Sequence, residues 1–191
     1  MKRLTLLLTT AATITLLALP FWFLQPNASP VAVAQAASPA TGAFPAATAA
    51  GPARLIIPEI GLNDAVTSVG LTQGGDMAVP SGSTSNVGWY AAGTVPGQAG
   101  SAVFDAHVFA AFKNLHELKV GSDIYVLTET GTTLHFKVTE MDIYPLAQVP
   151  AQRLFNAEGG TYLNLITCAG TFIPSQNTYD HRLVIWASLV H

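Results

Sequence analysis

The sequence predicts a mainly β domain, a barrel or a sandwich, and three observations predict it. Short apolar runs recur with turn signals roughly every 8 to 12 residues, the pattern of an all-β chain. Helical spacing is weak, confined to residues 109–118 and 151–155, each two or three turns at most. After an N-terminal portion of different composition, about 140 residues remain, ample for one closed core.

That N-terminal portion comes first in the chain. Lys2-Arg3 precedes an apolar, uncharged run from Leu4 to Leu24. Roughly 20 such residues suffice for a helix to cross the hydrocarbon core of a bilayer. The two basic residues predict that their end stays in the cytoplasm and that the rest lies outside the cell. Ala34-Gln35-Ala36 also fits a signal-peptidase cleavage pattern, but the run is long for a cleaved signal and favours a retained membrane anchor over residues 1–24. Residues 25–53 are rich in Ala, Pro, Ser, Thr and Gly, punctuated by Pro26, Pro30, Pro39, Pro45 and Pro52. Such a composition cannot bury enough apolar surface to offset its ordering entropy, so a disordered spacer is expected. The folded domain is expected over residues 54–191.

Within that domain, Leu55-Ile56-Ile57 is a strand stopped by Pro58, and residues 59–66 give a turn and the start of a second strand. Thr72-Gln73-Gly74-Gly75-Asp76 is a tight turn. Trp89-Tyr90 begins an aromatic patch, and residues 101–108 read as a strand. Residues 124–128 and 133–139 pair across a hairpin tip at Thr130-Gly131, closed by Ile143-Tyr144-Pro145. Tyr162 to Thr167 and Arg182 to Ala187 are the last two strands.

Composition excludes several classes of function. Of 8 basic residues, Lys2 and Arg3 precede the apolar run, which leaves 6 against 11 acidic ones. A mildly acidic domain has no basic face for nucleic acid. The five histidines are scattered and there is one cysteine, so no zinc-ligand spacing exists. The acidic residues are too dispersed to mark a calcium site.

The one cysteine, Cys168, ends the run Tyr162 to Thr167 and is followed by Ala169-Gly170. Exported proteins usually pair their cysteines or lack them, so a lone thiol at a strand end is a candidate nucleophile. The bland alternative is a small buried hydrophobe. A thiol becomes useful when an imidazole can stabilise its thiolate and later protonate a leaving amine. His107 is the best candidate, because it too is expected at a strand end. Arg182 opens the last strand, from where its guanidinium can bond a developing oxyanion. Asp105 lies two residues before His107. If the strand runs through both, they share a face, and the carboxylate can orient the imidazole.

These residues resemble the sortase family. Arg54 to Gly61 is similar to its first-strand signature. Val87-Gly88-Trp89-Tyr90 with Pro96-Gly97-Gln98-Ala99-Gly100 resembles the segment leading to the family's histidine, and points toward the class often called F. Leu165-Ile166-Thr167-Cys168 resembles the Thr-Leu-x-Thr-Cys box, with Asn164 in place of its first Thr. Tyr179 to Ala187 resembles the closing arginine strand. The family usually has Ala-Gly-His where this chain has Asp105-Ala106-His107.

The resemblance implies a closed eight-stranded β-barrel with short helices and a transpeptidase without a cofactor. Cys168 would attack a Leu-Pro-x-Thr-Gly-like sorting signal of a surface protein, His107 would protonate the departing amine, and Arg182 would bind the carbonyl. An amine from a cell-wall precursor or a pilin would then open the thioester. With ordinary pKa values near 8.5 and 6.5, the thiolate–imidazolium form is only about 1% of the enzyme at pH 7. Two alternatives stand beside this one: a hydrolase on the same fold, and a non-catalytic extracellular β-domain with Cys168 in its core.

Overall fold

A computed structural model describes residues 50–191. The expected membrane anchor, residues 1–24, and most of the expected spacer lie outside the described residues. Among the described residues no helix is long and apolar enough to cross a membrane.

Eight strands close into a barrel. They are β1 (Pro52–Ile57), β2 (Leu62–Val69), β3 (Val87–Tyr90), β4 (Gly100–Asp105), β5 (Asp123–Thr128), β6 (Thr133–Pro145), β7 (Thr161–Ile173) and β8 (Thr178–Leu189). Their order around the barrel is β1-β2-β3-β4-β7-β8-β6-β5, and β5 pairs back onto β1. The pairs β2–β3 and β4–β7 are parallel and the others antiparallel. β1 stops where the sequence predicts: Pro58 lacks an N–H for the ladder, and a 3-10 turn closes on Gly61 at φ 66°.

Alternation along each strand separates two faces. Phe104 of β4, Leu163 and Leu165 of β7, and Leu183 and Ile185 of β8 point into the barrel with Leu55, Ile124 and Phe136. Val103, Val184 and Trp186 form a second cluster on the outside. That outer cluster is covered by the one short α-helix among the described residues, α1 (Ala151–Asn156), through Leu154. Three contacts hold α1 there. Asn164 Nδ2 donates to the Leu154 carbonyl at 2.7 Å. Arg153 stacks on Trp186 with its guanidinium carbon 3.8 Å from the ring centroid. Both Arg153 Nη atoms donate to Glu140, at 2.7 and 2.5 Å.

Three sequence expectations change. Residues 109–118 are not an α-helix but a chain of turns ending in a 3-10 turn at Leu115–Glu117. Its hydrogen bonds span three residues, as in Leu115 N–H to Phe112 O and Leu118 N–H to Leu115 O. Phe112, Leu115 and Leu118, the buried residues, recur every third position, the period of a 3-10 turn. The runs at 133–139 and 143–145 are one strand, β6, which shifts register between Val138 and Glu140. The strand expected over 101–108 ends at Asp105, so His107 follows β4 instead of lying within it.

Candidate active site

The ladder between β4 and β7 places the first residue of the site. Its parallel register runs from Gly100↔Thr161 to Asp105↔Ile166. Carried on past the end of β4, the same register brings Ala106 level with Thr167 and His107 level with Cys168. A hydrogen bond holds this continuation: Thr167 Oγ1 donates to the Ala106 carbonyl at 2.7 Å. Thr167 and Ala106 are both buried, so the bond is shielded from water.

Antiparallel pairing places the second partner, because Cys168 on β7 is opposite Arg182 on β8. Cys168 and Arg182 are therefore paired across β7 and β8, and the β4–β7 offset carried past Asp105 would set His107 on the other side of the thiol. Thr167 and Leu183 take the inner face, and alternation turns Cys168 and Arg182 to the outer one.

Each side chain is held differently. Cys168 is the free thiol and is half-buried. Burial pushes its pKa up, Arg182 pulls it down, and Asp105 pushes it up again. Arg182 is anchored to its own strand: Nη1 donates to the carbonyls of Tyr179 at 3.0 Å and His181 at 2.9 Å, and Nη2 to Thr178 Oγ1 at 3.0 Å. A guanidinium has five N–H donors, so the Nε–H and one Nη2–H stay available. The His107 ring stacks on Phe109 with centroids 4.7 Å apart and planes 14° apart. Phe109 is 64% exposed, so its other face is open to solvent or ligand. Gly82 lies against both rings: a Cβ there would meet Phe109 Cε2 at 3.1 Å and His107 Cδ2 at 3.4 Å.

The structure pairs Cys168 with Arg182, sets His107 two residues past the end of β4 against Phe109, and gives Asp105 no hydrogen bond to the imidazole. The carboxyl's Oδ1 is buried without a hydrogen-bond partner among the described residues. The charge that opposes it is Arg182. Two of the other histidines have separate partners. His135 bonds Asp123 at 2.8 Å on the neighbouring strand, and His181 bonds Asp180 at 2.7 Å. Sequence reasoning passed over Thr167 and Phe109. The signal for Thr167 is a hydroxyl on the inward-facing position of a buried strand, where it needs a partner.

The sequence matches the Sortase domain family over residues 55–190. The chain belongs to the sortase family. No curated protein matches it significantly. Among solved structures the fold is similar to a Clostridium perfringens sortase D5 transpeptidase, at TM-score 0.56 and 18% identity, covering 74% of this chain and 79% of that one. Sortase C from Clostridium perfringens SM101 has TM-score 0.55 and 20% identity, with 73% and 70% covered. Sortase C1 from Streptococcus suis has TM-score 0.55 and 21% identity, with 75% and 74% covered. At such identities the likeness concerns the sortase barrel itself. The matched span includes His107, Cys168 and Arg182.

Proposed function

We propose that this sortase is a cysteine transpeptidase acting through Cys168, His107 and Arg182. The observation that supports the reading is the half-open thiol of Cys168 paired with Arg182 across β7 and β8, with His107 two residues past the end of β4, the strand that also pairs with β7. The Cys168 thiolate attacks the Thr–Gly carbonyl carbon of a Leu-Pro-x-Thr-Gly-like sorting signal. The two free N–H donors of Arg182 receive the oxyanion. The carbon–nitrogen bond breaks, the His107 imidazolium gives its proton to the departing amine, and a thioester remains on Cys168. An acceptor amine from a cell-wall precursor or a pilin attacks that thioester, loses a proton to His107 and releases the sulfur.

The Val87-Gly88-Trp89-Tyr90 segment supports a class F-like member, and the loop at residues 81–85, which borders His107 through Gly82, is a candidate for reading the signal. The apolar run from Leu4 to Leu24 behind Lys2-Arg3 supports a membrane-anchored enzyme with its catalytic domain outside the cell. An anchor that confines enzyme and substrate to one membrane raises their effective concentration, which compensates for a thiol that is mostly protonated.

Intact mass spectrometry of the full-length chain with a Leu-Pro-x-Thr-Gly peptide library tests this, with Cys168→Ala as control. The expected result is a mass gain equal to the peptide's acyl half on wild type only, and a ligated product once an amine is added. Hydrolysed peptide alone, with amine present, would make it a hydrolase. No adduct, with a thiol inert until denaturation, would leave a non-catalytic binding domain.

A further inference from the structure

Asp105 is the group on the active-site face that the reaction above leaves without a task. It ends β4, and its register partner on β7 is Ile166, one rung short of Cys168. Because Ala102, Phe104 and Ala106 face inward, Val103 and Asp105 face outward, on the side that also carries Cys168 and Arg182. Cys168 is thus its diagonal neighbour across the β4–β7 pair, with Arg182 beyond. Oδ1 is buried and has no hydrogen-bond partner among the described residues. An ionised carboxylate so placed is costly, and Arg182 alone compensates it.

The charges around it are few. On β3 its register partner is Gly88, which brings none. On β7 the titratable group is Cys168, and on β8 the cation is Arg182. His107 follows Asp105 in the chain but is stacked on Phe109. Burial pushes the Asp105 carboxyl up to about 7, against the pull of Arg182. The same guanidinium pulls the Cys168 thiol down, while Asp105 pushes it up. Two acids therefore share one cation.

We propose that Asp105 is a positioning residue that governs how much of the Arg182 charge reaches Cys168. With its carboxyl protonated, the guanidinium serves the thiolate and the oxyanion. With its proton lost to solvent, the carboxylate draws on the guanidinium and repels the thiolate, and the two acids titrate as a coupled pair. The inference rests on Cys168 being the nucleophile proposed above.

The test is the rate of Cys168 alkylation by iodoacetamide, followed by intact mass on the full-length chain from about pH 5 to pH 10. Wild type is compared with Asp105→Asn, which keeps the shape and removes the charge. One charge on a diagonal neighbour about 7–8 Å away, at an effective dielectric of 20–40, changes the thiolate fraction roughly five- to fiftyfold. Asp105→Asn is therefore expected to alkylate faster than wild type by that factor near pH 8, and the two profiles converge below about pH 6. The wild-type profile is expected to need two ionisations. Superimposed profiles with a reactive thiol would overturn the inference and leave the nucleophile intact, as would a wild-type profile with one ionisation, which needs no variant. A thiol that stays inert until the protein unfolds would overturn the nucleophile assignment itself.

Discussion

Arg182 meets the site with three of its N–H donors already committed to Tyr179, His181 and Thr178. That anchoring makes lysine a poor substitute, because an ammonium on a flexible stem cannot hold to the strand and reach outward in one plane. Arg182→Lys is expected to lower kcat/KM about 10²–10³-fold, the usual loss on removing an oxyanion donor. Steady-state kinetics with a sorting-signal peptide measures this. The same variant separates charge from geometry, because its thiol should alkylate at nearly the wild-type rate, whereas Arg182→Ala should alkylate more slowly. Asp105 could be read from the sequence only as a neighbour of His107, since alternation along one strand was the available rule. The charge that opposes it, Arg182, lies two strands away on β8 and comes near only after the β4–β7 and β7–β8 ladders form.

At the scale of elements, the position of His107 depends on a bond beyond the end of β4. Thr167→Val keeps the shape and removes the hydroxyl that bonds the Ala106 carbonyl. The buried carbonyl is left unsatisfied, at a cost of about 1–3 kcal/mol. Denaturant unfolding should show that loss, and kcat should fall further than stability requires, because the imidazole is no longer held level with Cys168. β7 and β8 both run on beyond the predicted strands 162–167 and 182–187, and a 3-10 turn at Pro174–Gln176 joins them. Gly170, at φ 79°, lies in that extension. A Cβ there would collide with Asp180 Oδ1 and lie 2.7 Å from His181 Nδ1. Gly170→Ala therefore combines a left-handed backbone penalty of about 1–2 kcal/mol with displacement of the Asp180–His181 pair. A lowered melting temperature with Cys168 alkylation altered is the expected outcome, since the displaced residues adjoin Arg182.

At the scale of the whole molecule, the barrel carries a pH dependence that its acidic composition does not suggest. A carboxyl whose folded pKa is raised from 3.8 to about 7 favours the folded state while it is protonated. That contribution is complete below about pH 4 and is lost as pH rises through about 7. The difference amounts to about 4 kcal/mol, from 1.36 kcal/mol per pKa unit. Asp105→Asn is therefore expected to unfold at higher denaturant than wild type at pH 8 and at a similar midpoint at pH 4. A midpoint difference of the same size at both values would assign the effect to packing.

The sequence alone determined the strand content, the closing prolines and turns, and the choice of Cys168, His107 and Arg182 as the candidates for chemistry. These follow from local alternation, from turn chemistry and from residue types that few other roles require. It could not separate one long β6 from two strands, because the register shift after Val138 is a property of pairing with β8. It mistook a three-residue period for a helix at 109–118, since a short run of buried residues does not distinguish three from 3.6. Only the tertiary structure decided that Thr167 ties Ala106 in place, that Phe109 and Gly82 flank the imidazole, and that the Asp105 carboxyl is buried without a hydrogen-bond partner among the described residues. Each of these depends on which strands become neighbours in a closed barrel, and that choice is made by the whole core at once.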